Sequence, residues 1–92
     1  MNAQQQFAES IEVGLAGLRV RQPARVTGLS AGDSAADAEL CLRLAELGFI
    51  EGERVEVIAR AAFGGPLAVR IGTATFALRR AEAAVVRVRA ER

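Results

Sequence analysis

The chain has 92 residues, of which 51% are hydrophobic and only 4% are aromatic, and its formal net charge is +1. A chain of this length forms a single domain that buries only about 60–65% of its unfolded surface, which leaves little room for a deep catalytic cleft. Histidine and lysine are both absent, which excludes Ser-His and Cys-His catalysis, histidine-ligated metals, a P-loop and a Schiff base.

The distribution of charged and apolar residues indicates a cytoplasmic protein. Arginine supplies all 12 basic side chains and is interleaved with acidic residues, which argues against a dedicated nucleic-acid binder. No stretch approaches the roughly 18 consecutive apolar residues of a membrane span, and residues 1–10 lack the basic and apolar regions of a secretory signal. Because no nucleophile is paired with a base, we also expect that the protein is not an enzyme.

The N-terminal part of the chain, residues 1–17, begins with a Gln-rich stretch and shows no convincing hydrophobic period. We predict that it is a flexible extension and that the folded domain spans residues 18–92. The first strand is predicted at residues 23–29, where Ala24 and Val26 fall on one face.

A helix is predicted after this strand. Asp33 or Ser34 suits the N-cap, because a side-chain oxygen at that position accepts a hydrogen bond from a backbone N–H of the first turn. Gly48 supplies a left-handed stop. Between these signals the helical spacing i, i+4, i+7 is carried by Leu40, Leu44 and Leu47.

After Gly52 the apolar period changes to two, which predicts strands. The inward-facing residues are expected to be Val55, Val57 and Ala59 in one strand and Leu67, Val69 and Ile71 in the next. Residues 73–78 and the segment around Val86 and Val88 are predicted as two further strands, joined by a tight connector in which Arg79 and Arg80 are solvated. About five strands and one helix suggest a small, strongly bent β-barrel. Its predicted core consists of Leu44, Leu47, Val55, Val57, Val69, Ile71, Leu78, Val86 and Val88.

The sequence AAFGGPLAVRIG (residues 61–72) contains a glycine pair, Gly64 and Gly65, between two segments of period two. A phosphate-binding glycine loop leads into a helix, whereas Gly-Gly between strands favours a tight hairpin turn. We therefore predict a hairpin. Two orientations of the preceding aromatic residue stay open. Phe63 either folds back to cap the barrel or forms, with Pro66 and Leu67, an apolar tip for a partner.

Cys41 and Asp37 are four residues apart on the predicted helix, so both side chains can share one face. A thiolate and a carboxylate bind a divalent transition metal such as Zn or Fe weakly, and more tightly if a second molecule completes the site. The alternative is a half-buried cysteine that behaves as a small hydrophobic residue. No cofactor is required by the sequence.

The stretch RLAELGFIEGERVEVIARAAFGGPL, followed by FALRRAEAAVVRV, resembles the FeoA family of ferrous iron transport proteins. The resemblance covers roughly residues 18–89. Ala62 and Gly65 depart from the family pattern, which often has proline and an acidic residue at these positions. The matching residues are Leu44, Leu47, Gly48, Gly52, Val55, Val57, Gly64, Pro66, Ala77, Leu78, Arg79 and Ala83.

The resemblance implies an SH3-like β-barrel with a helix inserted after the first strand. It also implies a cytoplasmic, non-catalytic accessory or regulatory module that contacts the cytosolic part of FeoB, the ferrous iron permease with a GTPase domain. We expect the contact surface to be the hairpin tip, residues 63–67, together with Arg43 and Phe49 beside the helix, although Phe49 suits the core equally well.

Exposed strand edges can pair between two copies, which predicts a weak homodimer. A metal ion shared between the two copies is a second way in which they could be joined. The alternative function is an SH3-like barrel that binds nucleic acid or acts as a metal-responsive regulator. The scarcity of aromatic residues and the acidic residues between the arginines argue against nucleic acid.

Overall fold

Within residues 11–91, the part of the chain that the computed structural model describes, six strands form one antiparallel sheet in the order β1-β6-β2-β3-β4-β5. The strands are β1 (Glu12–Gly14), β2 (Ala24–Leu29), β3 (Arg54–Arg60), β4 (Leu67–Ile71), β5 (Ala74–Leu78) and β6 (Val86–Ala90). The helices are α1 (Ala35–Leu47), α2 (Arg80–Val85) and a 3-10 helix (Leu15–Gly17). The predicted mainly β fold is confirmed, and α1 follows the predicted first strand, which is β2 because an additional strand precedes it.

The ordered fold begins before residue 18, and it contains one strand more than the five expected. Val13 in β1 pairs with Val88 in β6, and Leu15 in the 3-10 helix is fully buried. No period marks this segment because the chain passes directly from a three-residue strand into one 3-10 turn, so neither spacing repeats. Residues 1–10 of the predicted extension lie outside the described residues.

Helix α1 begins and ends at the predicted signals. The Ser34 hydroxyl accepts a hydrogen bond from the Asp37 amide at 3.0 Å, and the Asp37 carboxylate accepts one from the Ser34 amide at 3.2 Å. Gly48 ends the helix with a φ of 115°, a conformation that costs glycine little. Of the 13 helical residues only Leu44 is fully buried, so the helix contacts the core along one narrow face and leaves the rest of its surface accessible. Within residues 11–91 no helix is long and apolar enough to cross a bilayer.

The alternation in β3 is interrupted by a bulge. Val55 and Val57 are buried as predicted, but the register shifts between Val57 and Ala59, and Ala59 is exposed. The prediction that Ala59 faces inward is therefore wrong, because the extra residue of a bulge moves the following side chains to the opposite face.

One hydrophobic core joins the sheet to α1 and the 3-10 helix. Every residue of the predicted core is buried except Leu47, which is half-buried. Phe49 is 1% exposed and packs against Phe76, with ring centroids 6.2 Å apart at an interplanar angle of 53°. Several buried residues were not predicted as core: Leu15, Leu18, Ala24, Val26, Leu67 and Ala83.

Candidate functional site

The six residues between β3 and β4 form a closed hairpin turn. The Ala61 amide donates to the Pro66 carbonyl at 2.9 Å, and the Gly65 amide donates to the Ala62 carbonyl at 3.2 Å. The glycine pair therefore lies in a hairpin, as predicted, and does not lead into a helix. The four residues from Ala62 to Gly65 form the β-turn at its end.

Phe63 and Gly64 are the two central residues of that β-turn, and both have positive φ angles, 58° and 74°. Positive φ at both central positions is the signature of a type I′ turn, which normally selects Asn or Gly at the first of them. A bulky side chain in this conformation is rare, and it costs roughly 1–2 kcal/mol. The Phe63 side chain makes no compensating contact with residues 11–91, since its relative exposure is 106%. It therefore projects into solvent and does not cap the barrel.

Gly65 is required for a different reason. A Cβ atom at this position would lie 2.8 Å from the Ala61 Cβ and 3.2 Å from the Ala62 carbonyl oxygen. The turn thus closes tightly because this residue has no side chain, and an acidic residue at position 65 would force Ala61 to move.

Two residues predicted on the contact surface are in the core instead. Leu67 is fully buried as the first residue of β4, and Phe49 is 1% exposed. Leu67 faces inward because Val69 and Ile71 share its side of the strand. Of the apolar side chains predicted at the tip, Phe63 and Pro66 are exposed.

A shallow depression adjoins the hairpin on the outer face of the sheet. Ala59 in β3 is opposite Ala68 in β4, and Ala68 is opposite Ala77 in β5. These small side chains leave a cavity of about 320 Å³, whose wall also includes Arg60, Ala61, Pro66 and Leu67. We call this depression the alanine groove.

Two arginines flank the same hairpin. Because Leu67 pairs with Leu78, the end of β5 brings Arg79 and Arg80 beside the start of β4. A Cβ atom at Gly64 would lie 3.8 Å from the Arg80 Nε. These arginines were expected to be solvated turn residues, and no sequence signal places them next to the glycine pair.

The nearest acidic side chain on α2 already has partners. The Glu82 carboxylate accepts from the Arg79 amide at 2.9 Å and from the Arg43 Nη2 at 2.5 Å. Within residues 11–91, neither the Arg79 nor the Arg80 guanidinium forms an ion pair. Phe63, the alanine groove, Arg79 and Arg80 together are called the hairpin surface below. Arg43, a predicted contact residue, is exposed and is held by Glu82 at its edge.

The predicted metal pair gains no further ligand from residues 11–91. Cys41 is half-buried, and the Asp37 carboxylate is engaged by Ser34 in the helix cap. Across residues 11–91 no group of three or more Cys, Asp and Glu side chains is arranged to hold a metal ion. The described residues therefore do not form a metal centre by themselves.

A second depression, of about 480 Å³, lies across β2 and β6 and contains both acids and arginines, among them Glu12, Arg25 and Glu91. Hydrogen bonds from Arg54 and Arg25 hold the pKa of Glu91 below its usual value of 4.5. A hydrogen bond from Thr27 does the same for the pKa of Glu12. Carboxylates with lowered pKa values are poor general acids near neutral pH, so neither Glu12 nor Glu91 is suited to donate a proton there.

Comparison with known proteins gives a family match over most of the chain. The model of the FeoA domain matches residues 7–90. Among curated protein sequences, none matches the chain.

Three solved structures illustrate the similarity. The crystal structure of Stenotrophomonas maltophilia FeoA complexed with zinc, described as a prokaryotic SH3 domain protein, is 38% identical and superposes with a TM-score of 0.73 over 86% of this chain and 95% of that one. The solution structure of iron(II) transport protein A from Clostridium thermocellum is 31% identical, with a TM-score of 0.72 over 84% of this chain and 44% of that one. A manganese-dependent transcriptional repressor in complex with manganese is 25% identical, with a TM-score of 0.74 over 87% of this chain and 37% of that one. The chain thus spans less than half the length of the latter two proteins.

Proposed function

Because the chain belongs to the FeoA family, which is linked to ferrous iron transport, we propose that it is a non-catalytic accessory module of bacterial ferrous iron uptake. In this proposal it works in the cytoplasm by protein–protein contact with the cytosolic part of a FeoB-type permease. The contact is made by the hairpin tip, residues 63–66, with Arg43 at its margin.

The observation that supports this site most strongly is Phe63. A fully exposed aromatic side chain on a turn that disfavours it has no structural role within the described part of the chain. Backbone strain of this kind concentrates at functional positions, where the surrounding structure maintains it. A large apolar side chain in solvent is moreover the residue type that dominates the energetics of protein interfaces.

No metal is needed for this role. Zinc is bound by the Stenotrophomonas maltophilia protein, whereas Cys41 and Asp37 supply at most two ligands here. We propose that weak binding of zinc or Fe(II) at this pair requires ligands from a second copy, so that it would accompany a weak homodimer.

The experiment is a direct binding measurement between the full chain and the purified cytosolic GTPase domain of the FeoB-type permease from the same organism. We expect saturable binding by the wild type and at least a tenfold loss of affinity in Phe63→Asn. Removing an aromatic anchor from the centre of an interface costs about 2 kcal/mol or more, and a tenfold loss corresponds to about 1.4 kcal/mol. Ile50→Asn is the matched control, because Ile50 is also exposed, at 54%, but precedes the opposite end of β3.

Equal loss in both variants would contradict the assignment of the hairpin, and absence of binding by the wild type would contradict the partner. The alternative, a nucleic-acid-binding or metal-responsive regulator, is compatible with the similarity to the manganese-dependent repressor. Binding of duplex DNA that strengthens steeply as salt is lowered would favour that alternative.

A further inference from the structure

The hairpin surface combines three features that together describe the chemistry of its partner. Phe63 is an apolar side chain in full contact with water. The alanine groove at the base of the same hairpin is lined by apolar residues and by Arg60. The Arg79 and Arg80 side chains stand at the same end of the sheet without an ion pair among residues 11–91.

No acidic side chain of residues 11–91 forms an ion pair with Arg79 or Arg80 on this surface. Five other arginines, Arg21, Arg25, Arg43, Arg54 and Arg87, pair with glutamates of the described chain. Arg79 and Arg80 do not, because the carboxylate of Glu82 is taken up by Arg43 and by the Arg79 amide. Two uncompensated guanidinium groups beside an apolar groove favour a ligand that carries carboxylates, since arginine binds them in a planar, two-pronged geometry.

A second copy of this chain fits the surface poorly. Packing two hairpin surfaces against each other through their apolar parts would bring Arg79 and Arg80 of both copies close together. Like charges at an interface disfavour association. The surface is therefore suited to a different molecule of opposite charge.

We propose that the hairpin surface binds an acidic, apolar segment of a partner protein. One large apolar side chain of that segment lies in the alanine groove against Phe63, and its neighbouring carboxylates pair with Arg79 and Arg80. The proposal rests on the proposed function for the location of the site, and it adds the chemical character of the segment that binds there.

The test does not use the permease. Random peptides displayed on phage are selected on the immobilised full chain, and the most enriched peptide is synthesised with a fluorescent label. We expect enriched peptides to have net negative charge and at least one large apolar residue. Binding by fluorescence anisotropy should weaken at least tenfold in Phe63→Asn and in Arg80→Glu, and it should weaken as salt is raised.

Two further variants make the measurement specific. Ala68→Leu fills the alanine groove and should also weaken binding, although it leaves every charge in place. Arg70→Glu carries the same charge reversal as Arg80→Glu but stands near the opposite end of β4, so its affinity should stay within about twofold of the wild type apart from long-range screening effects. Thermal melts confirm that each variant is folded.

Several outcomes would overturn the proposal. These are enrichment of neutral or basic peptides, no enrichment at all, or equal effects of Arg70→Glu and Arg80→Glu. Self-association of the wild type that Phe63→Asn abolishes would assign the surface to a second copy. Binding to vesicles of phosphatidylserine and phosphatidylcholine that is lost in Arg80→Glu, without peptide binding, would assign it to a membrane. Acidic peptides that bind when the permease domain does not would instead overturn only the proposed function.

Discussion

At the scale of single residues, Phe63 shows a conflict between local preference and the observed structure. Asn-Gly or Gly-Gly is the sequence that a type I′ turn favours, and here the turn contains Phe-Gly with φ angles of 58° and 74°. Local conflicts of this kind are expected mainly at functional sites. The conflict should therefore be visible as a gain of stability when Phe63 is replaced.

Replacing Phe63 by Asn should stabilise the domain while it weakens partner binding at least tenfold. Asparagine adopts the left-handed conformation more readily, so we expect a gain of about 1 kcal/mol, which raises Tm by roughly 4–8 °C in a domain of this size. The measurement is thermal unfolding followed by circular dichroism. Gly64→Val is the opposite control, since a β-branched residue at φ 74° should lower Tm. A lower Tm in Phe63→Asn would mean that the aromatic ring stabilises the fold.

Glu91 contributes stability that depends on pH. Its carboxylate accepts from Arg25 Nε at 2.6 Å and from Arg54 Nη2 at 2.9 Å, and these bonds lower its pKa below 4.5. The folded state then binds the proton less tightly than the unfolded state. The stabilisation is therefore present above pH 4.5 and is lost as the pH falls through the folded-state pKa.

We expect Glu91→Gln to be less stable than the wild type at pH 7 and to approach it at pH 3. Urea unfolding at both pH values measures the two differences in free energy of unfolding. Glu51→Gln is the control, because Glu51 lies in the same depression and, among residues 11–91, has no hydrogen-bond or ion-pair partner. A difference between Glu91→Gln and the wild type that is the same at both pH values would contradict the role of the carboxylate charge.

At the scale of elements, β3 shows how much of a strand the sequence can specify. Its alternating valines predict the strand and the inner face as far as Val57, where the bulge begins. Alternation beyond that point continues in the sequence but not in the structure. A bulge carries no distinctive residue here, so the direction of Ala59 was not predictable from the pattern.

The bulge predicts different outcomes for the same substitution at two neighbouring positions. Val57→Asp places a carboxylate at a fully buried position and should remove most of the domain's stability, since the total is only about 5–15 kcal/mol. Ala59→Asp should change it by about 1 kcal/mol or less, because the side chain is exposed. Urea unfolding of both variants tests the register directly. If Ala59→Asp unfolds the domain as well, β3 has no bulge.

Helix α1 is the element that the sequence specifies most completely. Its N-cap, its leucine spacing and its glycine stop are local signals, and the hydrogen bonds of both caps join residues no more than four apart. The N-terminal strand β1 is the opposite case. It has only three residues and forms because the edge of β6 is available for pairing. Since β6 is about 75 residues away in sequence, no local sequence pattern predicts this pairing.

At the scale of the whole molecule, hydrogen bonds join the end of β6 to the segment just before β2. Glu91 near the C-terminus donates its amide to the Pro23 carbonyl at 2.8 Å, and its own carbonyl accepts from Gln22 Nε2 at 2.7 Å. Together with the pairing of β1 and β6, these bonds hold the C-terminal strand to segments far earlier in the chain.

The sequence by itself determined the fold class, the family, helix α1, most of the core and the presence of a hairpin at the glycine pair. Those features depend on residue type and spacing over short distances, where side-chain period and turn chemistry act directly. The tertiary structure alone decided that Phe49 is buried, that Leu67 belongs to the inner face of β4 and not to the tip, that Phe63 is exposed, and that Arg79 and Arg80 stand beside the turn. Those facts depend on which strands pair and on which donors the Glu82 carboxylate accepts hydrogen bonds from. Such long-range contacts follow from the packing of the whole chain, so they leave no pattern in any one segment.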